Sequence, residues 1–332
     1  MNYDEALKHV IFRYVSGSNA YGTEREDSDK DYRGVFIAPL SEFFRLYVGE
    51  DDDGAMKLSV QQVEKPGEDE TLYELRKFLK LAADCNPNII EALFVDRLIS
   101  HRSEIWNRIQ AHRELFVSKK ARFTFSGYAI AQLKRIRGHR GYLLNPPSHK
   151  PTREEFGLKA NSIIAGEQRR TVLSLKADMV VDAYGQLQQV VEADIVAPAI
   201  REEVEKERRY EQALKSFNAY QKWNKERNPA RKELEAKFGF DVKHAMHLVR
   251  LLRMGAEILE TGQVHVYRPD REELRGILRG EWSYDRLEIY AEEMDVKFTE
   301  LYETSTLRDK PDRKGIEALY RLICEQHYGV KL

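Results

Sequence analysis

The pattern of apolar and polar positions changes about a third of the way along the chain. Up to about residue 115, short apolar runs typical of β-strands occur at residues 9–15, 32–37 and 58–64. Residues 72–83 instead carry apolar side chains at helical spacing. The first third is therefore predicted to be a mixed α/β region.

Beyond residue 115 the strand signal fades and helical periodicity dominates. Helices are predicted at residues 123–136, 171–234 with a break at Pro198, 241–259, 284–302 and 316–328. The stretch 199–236 is densely charged with mixed sign, as is typical of solvated helices. We predict two domains, one over residues 1–115 and a mainly helical one over residues 116–332, which carries a charged helical insertion at about 199–236.

Composition narrows the functional classes. The 332 residues include 42% hydrophobic and 33% charged side chains, which predicts a soluble globular protein. No run approaches the ~18 to 20 apolar residues that cross a bilayer, and residues 1–8 lack the apolar stretch of a signal peptide, so we expect a cytoplasmic protein without membrane contact. Cys85 and Cys324 are too few for a disulfide framework. Because 54 Lys and Arg balance 55 Asp and Glu, nucleic-acid affinity would require a local excess of positive charge.

In the most informative segment, ten residues separate a Gly-Ser pair from an Asp-x-Asp pair. Asp29 and Asp31 are two residues apart, so in an extended strand both side chains would point to one face. Two such charges repel unless a pKa rises or a cation compensates, and Mg²⁺ is the common cation for oxygen ligands. Gly17 would let a phosphate approach the main chain, while the Ser18 hydroxyl and backbone N–H groups could donate to its oxygens.

Each half of this motif also has a simpler interpretation. Residues 27–31 are typical of a solvated turn, in which Arg33 on the same strand face would pair with the aspartates. Gly-Ser pairs occur in many turns. The order and spacing of the two halves, between apolar strands, favour a metal-nucleotide site over these alternatives.

The Gly-Ser and Asp-x-Asp pairs resemble the signature of the DNA polymerase β superfamily of nucleotidyltransferases. Further segments resemble the predicted nucleotidyltransferases associated with RNA ligases, called RlaP-type: residues 75–78, 86–88, 128–140, 145–147, 150–153 and 240–254. The resemblance implies an α+β fold, with an N-terminal polymerase β-like nucleotidyltransferase domain of a small mixed sheet and helices, followed by a mainly helical C-terminal region.

The resemblance also implies an active site with three metal-binding carboxylates. Asp29 and Asp31 match the first two, and Asp69 is the best candidate for the third, followed by Glu70 and then Glu64. Asp69 could equally be an exposed turn or N-cap residue. These carboxylates would hold Mg²⁺ or Mn²⁺ for in-line displacement at the α-phosphorus of an NTP, with pyrophosphate as the leaving group.

Two basic clusters are candidates for contacts with phosphate. The first lies in a stretch, residues 131–153, that carries a local charge of +6 and no acidic residue. Its candidate nucleic-acid-binding residues are Lys134, Arg135, Arg137, His139 and Arg140. The alternative is a solvated basic face that pairs with acidic residues elsewhere.

The second cluster lies on one face of the helix predicted at residues 241–259. Lys243, His247 and Arg250 share that face and are the candidate nucleotide-binding residues, together with Gly17 and Ser18. The resemblance supports this choice, because polymerase β-like enzymes pack a helical domain across the cleft.

The leading hypothesis is an Mg²⁺-dependent nucleotidyltransferase that moves an NMP from an NTP to a hydroxyl. An RNA end is the favoured acceptor, in association with an RNA ligase or repair pathway. Two other enzymatic hypotheses are transfer to a protein side chain, as in the antitoxin-like branch of the superfamily, and transfer to a small molecule. A non-catalytic NTP- or RNA-binding protein is the alternative outside catalysis.

Overall fold

The computed structural model describes residues 1–25, 28–44, 61–160 and 196–331. In these residues a five-stranded sheet has the order β3-β4-β2-β1-β5. Its strands are β1 (Val10–Val15), β2 (Tyr32–Phe36), β3 (Gln62–Glu64), β4 (Glu70–Glu74) and β5 (Ile99–Arg102). The pair β2 and β4 is parallel, whereas β1 pairs antiparallel with β2 and β5, and β3 pairs antiparallel with β4. The sheet is mixed, as predicted.

The strand directions bring several chain segments to one edge of the sheet. β2, β4 and β5 start at this edge, and β1 ends there. Residues just before β2, just before β4 and just after β1 therefore lie beside one another. Asp31 and Asp69 occupy the first two of these positions, and Ser16 occupies the third.

Helices make up most of the rest of the described chain. They are α1 (Tyr3–Leu7), α2 (Gly17–Tyr21), α3 (Leu75–Ala83), α4 (Pro87–Ile90), α5 (Glu104–Ala111), α6 (Ala121–Leu144), α7 (Val196–Glu226), α8 (Pro229–Phe238), α9 (Val242–Thr261), α10 (Arg271–Leu278), α11 (Tyr284–Thr304) and α12 (Arg313–Tyr328). The predicted fold class, a small mixed sheet with helices followed by a mainly helical region, is confirmed. None of the described helices combines the length and the apolar character needed to span a membrane.

The prediction of one helix over residues 72–83 is wrong at its start. Leu72 belongs to β4, and the helix begins only at Leu75. β4 shows no alternation of apolar and polar residues because Glu70 and Glu74, at its two ends, are buried charges. Pro198, where a break was predicted, lies in the first turn of α7, a position that tolerates proline. The predicted elements at 58–60 and 171–195 lie outside the described residues, as does Asp27.

An aromatic core fixes the sheet against the helices that follow it. Phe12 of β1 stacks on Trp106 of α5 with ring centroids 4.0 Å apart, and Phe78 of α3 meets the same indole edge-on at 5.3 Å. All three side chains are fully buried. Such ring pairs add about 0.5–1.5 kcal/mol each beyond the burial of their area. This packing joins the sheet to α3 and α5.

The described chain divides into two compact units. One comprises residues 1–137 and 238–332, and the other comprises residues 138–237. In the second unit, Arg153 forms a two-pronged ion pair with the fully buried Glu207. Tyr142 and Tyr220 both pack on Trp223 there, with ring centroids 5.3 and 5.9 Å from the indole. The first unit holds the whole sheet together with α9 to α12.

Candidate active site at the sheet edge

The turn after β1 is tied to the residue that precedes β2. The backbone N–H of Ser16 donates to the Asp31 carbonyl at 2.7 Å, and the Ser16 hydroxyl donates to the same oxygen at 3.1 Å. Gly17 then begins α2 with φ of +68°, a left-handed conformation that favours glycine. The sequence Ser-Gly-Ser after the strand thus folds the chain back over Asp31.

Gly17 leaves room for the Asp31 carboxylate. A Cβ atom on Gly17 would stand 2.6 Å from Asp31 Oδ2, well inside ordinary contact distance. Only glycine satisfies both the backbone angle and this close approach. The structure therefore gives the glycine of the Gly-Ser pair a local role, which is to let the α2 turn lie against an acidic side chain.

Asp31 and Asp69 come together through the parallel pairing of β2 with β4. The N–H of Tyr32 donates to the Asp69 carbonyl at 3.0 Å, so the residues before the two strands are neighbours. Burial, and next the adjacent charge of Asp69, raise the pKa of Asp31 above its ordinary value. Arg33 and Lys243 act in the opposite direction. Two carboxylates that share a pocket in this way call for a compensating cation.

Arg33 supplies part of that compensation. Its guanidinium pairs with Asp69 Oδ1 at 2.9 Å and also donates to the Asp69 carbonyl at 3.2 Å. The sequence suggested Arg33 as a partner for Asp29 and Asp31, but its ion pair is with the aspartate of the neighbouring strand. Arg33 consequently holds Asp69 in place beside Asp31.

The other two candidates for the third carboxylate lie in different environments. Glu70 is almost fully buried and forms a two-pronged ion pair with Arg13 at 2.7 and 2.8 Å. Although burial opposes it, this pairing lowers the pKa of Glu70. Glu64 is exposed on β3 and accepts a hydrogen bond from Gln62 at 3.0 Å. Of the three, Asp69 is the residue that the structure brings to Asp31.

Two further residues of the motif, Ser18 and Asp29, carry polar side chains. Asp29 is exposed, and its backbone carbonyl accepts a hydrogen bond from Asn19 of α2 at 3.0 Å. Within the described residues, neither the Asp29 carboxylate nor the Ser18 hydroxyl has a protein hydrogen-bond partner. Both groups are thus available to a ligand.

The start of α9 reaches the same edge. Asp241 caps the helix by accepting from the N–H groups of Lys243 and His244 at 2.9 and 3.0 Å, which fixes Lys243 in the first turn. Lys243 is exposed, forms no ion pair with any described residue, and lies close enough to Asp31 to lower its pKa. His247 follows one turn later and is half-buried.

Arg250, the third candidate on α9, points into the interior. It lies 3.5 Å from the buried Glu91 and its guanidinium carbon is 3.8 Å above the centre of the Tyr21 ring. The Tyr21 hydroxyl in turn donates to Glu91 at 2.9 Å. Burial raises the pKa of Glu91 to about 7, while Arg250 and Tyr21 oppose the rise. Tyr21 is the last residue of α2, so this buried trio anchors α2 to α9.

The basic residues of α6 have different surroundings. Lys134 and Arg135 are exposed and make no ion pair with the described residues, whereas Arg137 pairs with Glu288 of α11 at 2.9 Å. Farther along, within the second unit, His139 lies 3.6 Å from Glu235 and Arg140 is half-buried. Of these candidates on α6, Lys134 and Arg135 are therefore the ones best placed in solvent to bind a phosphate.

Sequence reasoning did not anticipate the trio of Tyr21, Glu91 and Arg250. One signal was available, because Glu91 interrupts an otherwise apolar run from Ile89 to Phe94. A carboxylate in such a run is buried and requires a partner. The identity of that partner depends on the packing of a helix some 160 residues away and cannot be read from spacing.

The donor set at the sheet edge suits a divalent cation. Asp29, Asp31 and Asp69 offer hard carboxylate oxygens, the ligands that Mg²⁺ and Mn²⁺ prefer. Burial and the adjacent charge of Asp69 both raise the pKa of Asp31, and a bound cation would favour the ionised form of this carboxylate. The exposed Asp29 carboxylate leaves an open approach from solvent.

Comparisons with known proteins match the N-terminal part of the chain. The chain is 28% identical over 139 residues to an uncharacterized 38.9 kDa protein in the nrdC-mobD intergenic region of Enterobacteria phage T4. That match covers 40% of this chain and 41% of the phage protein, so the chain spans less than half the length of this relative. No solved structure matches the chain. Residues 3–142, which contain the whole sheet and the carboxylate pair, match the model of the RlaP family, described as the RNA repair pathway DNA polymerase beta family.

Proposed function

We propose that the protein is a divalent-metal-dependent nucleotidyltransferase that transfers an NMP from an NTP to a hydroxyl of RNA. The observation that carries the proposal is the convergence of Gly17, Asp31 and Asp69 at one sheet edge, with Lys243 of α9 facing it. A polymerase β-like domain with this arrangement has the groups that such transfer requires.

The carboxylates supply the acidic half of the site. Asp29, Asp31 and Asp69 would hold the divalent cation, which when bound would offset the negative charge of the triphosphate and lower the pKa of the attacking hydroxyl. Arg33 keeps Asp69 oriented toward Asp31 through its 2.9 Å ion pair. In this proposal, Asp69 accepts the proton of the acceptor hydroxyl.

The α2 turn and α9 supply the groups that bind the nucleotide. The Ser18 hydroxyl and the Lys243 ammonium, which have no partner among the described residues, are both suited to phosphate oxygens. The acceptor oxygen forms a bond to the α-phosphorus as the bond to the bridging oxygen breaks. The electron pair of that bond leaves with pyrophosphate, so the reaction needs no other co-reactant.

The acceptor assignment rests on α6. Lys134 and Arg135 are exposed cations that pair with no carboxylate in the described part of a chain whose total charge is near neutral. A polyanion is the class of partner that such residues recognise. The family of residues 3–142, which operates in RNA repair, favours RNA as that polyanion.

Incubation with each α-³²P-labelled NTP, Mg²⁺ or Mn²⁺, and a mixture of short RNA, tRNA and cell protein tests the proposal. Denaturing gels should show label on RNA with the wild-type chain and none with Asp31→Asn. Glu64→Gln is the matched control, since Glu64 is an exposed carboxylate of the same sheet away from the pair, and it should transfer label normally.

The other outcomes are equally informative. Label on a protein band would show that the acceptor is a protein side chain and not RNA. Label that persists in Asp31→Asn would show that the site is elsewhere. No label with any NTP and either cation would contradict the enzymatic proposal and favour a binding role.

A further inference from the structure

A cationic cluster beside the α2 turn has no part in the steps proposed above. Arg97 lies just before β5, Arg271 is the first residue of α10, and Tyr267 lies in the segment that precedes this helix. The guanidinium carbon of Arg97 is 3.9 Å from the centre of the Tyr267 ring, and that of Arg271 is 5.0 Å from it. One aromatic ring therefore holds two guanidinium groups.

Neither arginine is neutralised by a carboxylate. Within the described part of the chain, Arg97 and Arg271 form no ion pair, although the protein has slightly more acidic than basic residues. Glu272, which follows Arg271, is bound by Arg275 at 2.8 Å. Arg271 donates only a long bond of 3.4 Å to the Arg268 carbonyl. A guanidinium stacked on a ring keeps its in-plane N–H groups for a phosphate.

The cluster belongs to the same sheet edge as the carboxylates. The N–H of Val15 donates to the Leu98 carbonyl at 3.0 Å, so Arg97 lies just past the end of β1. Tyr267 packs against the end of α2, since a Cβ on Gly22 would stand 2.5 Å from its ring. Both ends of the α2 turn are thus next to the cluster.

Strand order decides on which side of Asp31 the cluster lies. Asp69 precedes β4, on one side of β2, whereas β1, β5 and Arg97 lie on the other. In the proposed function Asp69 serves the acceptor hydroxyl. An in-line displacement expels the leaving group on the side opposite the nucleophile. With the acceptor hydroxyl on the Asp69 side, as the proposed function has it, pyrophosphate would leave toward β1 and β5.

We propose that Arg97 and Arg271, held on Tyr267, form a subsite for the terminal phosphates of the NTP. The inference rests on the proposed function, because that function sets the direction of the triphosphate. Two fixed guanidiniums would offset the negative charge that pyrophosphate gains when the bond to the α-phosphorus breaks. They would also distinguish a triphosphate from a monophosphate of the same nucleoside.

Calorimetric titration of the full chain with inorganic tripolyphosphate in the presence of Mg²⁺ tests the subsite directly. Arg97→Gln and Arg271→Gln should each weaken binding about tenfold, as expected for a charge-assisted hydrogen bond. Arg275→Gln is the matched control, because Arg275 lies on the same helix but is already paired with Glu272. Its affinity should equal that of the wild type. Thermal unfolding of each variant verifies that it is folded.

Three results would overturn the subsite: unchanged affinity in the double variant, an equal loss in Arg275→Gln, or a loss confined to binding of a short RNA. The last result would mean that the arginines contact phosphodiesters of the acceptor. Failure of the proposed function is separate from these outcomes. If no NTP yields labelled product but tripolyphosphate binding still depends on both arginines, the subsite stands and the transferase does not.

Discussion

Replacement of Gly17 by alanine tests how closely the α2 turn fits the carboxylate pair. With φ of +68°, an alanine at this position costs about 1–2 kcal/mol of stability. The new Cβ would also stand 2.6 Å from Asp31 Oδ2. To restore an ordinary contact, the carboxylate has to retreat by about 0.8 Å or more. Because that oxygen ends a flexible side chain, we expect it to move while the backbone stays.

The consequence is a loss of function that exceeds the loss of stability. A displacement of about 1 Å in a catalytic group lowers turnover by about 100-fold. Gly329→Ala is the matched control, since Gly329 has φ of +66° and open space around its Cβ position. Both variants should lose about 1–2 kcal/mol in the free energy of unfolding, but only Gly17→Ala should lose transfer activity.

Urea denaturation and single-turnover transfer of α-³²P label measure the two quantities on the same preparations. Wild-type transfer by Gly17→Ala would refute the argument that this glycine makes room for Asp31. A stability loss in Gly17→Ala far above that in Gly329→Ala would show that the clash spreads into the backbone. Either result would remove the link between the Gly-Ser pair and the carboxylates.

Three further perturbations address the surroundings of the site. Arg33→Gln should tighten Mn²⁺ binding about fivefold, because the substitution removes a positive charge that repels the bound Mn²⁺ by roughly 1 kcal/mol. An unchanged affinity, measured by electron paramagnetic resonance of Mn²⁺, would contradict this prediction. The pKa of Glu91 is raised to about 7 by burial, so the folded state holds an extra proton and stability should fall by roughly 3 kcal/mol as pH rises from 4.5 to 7. Urea denaturation at several pH values should show this fall in the free energy of unfolding for the wild type and not for Glu91→Gln. If both proteins lose the same stability with pH, Glu91 is not the titrating group. Arg135→Ala should weaken RNA binding and reduce the salt slope by about one, whereas Arg321→Ala, an arginine paired on α12, should not.

Parts of the fold follow directly from local pattern. The strands β1 and β2 are apolar runs bounded by polar turns, and α9 and α12 have apolar stripes at helical spacing. β4 could not be predicted in this way. Its charged residue Glu70 is stabilised inside the protein by Arg13, which is 57 positions away in the sequence. Local propensity carries no information about such a partner.

The candidate site shows the same division. The spacing of Gly17, Asp29 and Asp31 predicts that they share one site. The hydrogen bond from the Ser16 N–H to the Asp31 carbonyl brings the two halves of the motif together. Asp69 lies beside Asp31 because β2 and β4 pair in parallel. Parallel strands need a crossover connection, and the spacing of residues along the chain does not reveal which strands such a connection pairs. The inward position of Arg250 likewise depends on Glu91, so the face of α9 alone could not separate it from Lys243.

The comparison of Asp69→Asn with Glu70→Gln tests the central claim most directly. The two carboxylates are adjacent in sequence, but Asp69 meets Asp31 and Glu70 meets Arg13. Single-turnover transfer, measured at a temperature where both variants are folded, should fall about 100-fold or more in Asp69→Asn and stay near the wild-type rate in Glu70→Gln. The reverse result, or equal rates in both variants, would contradict the assignment of the Asp31 and Asp69 pair as the catalytic centre.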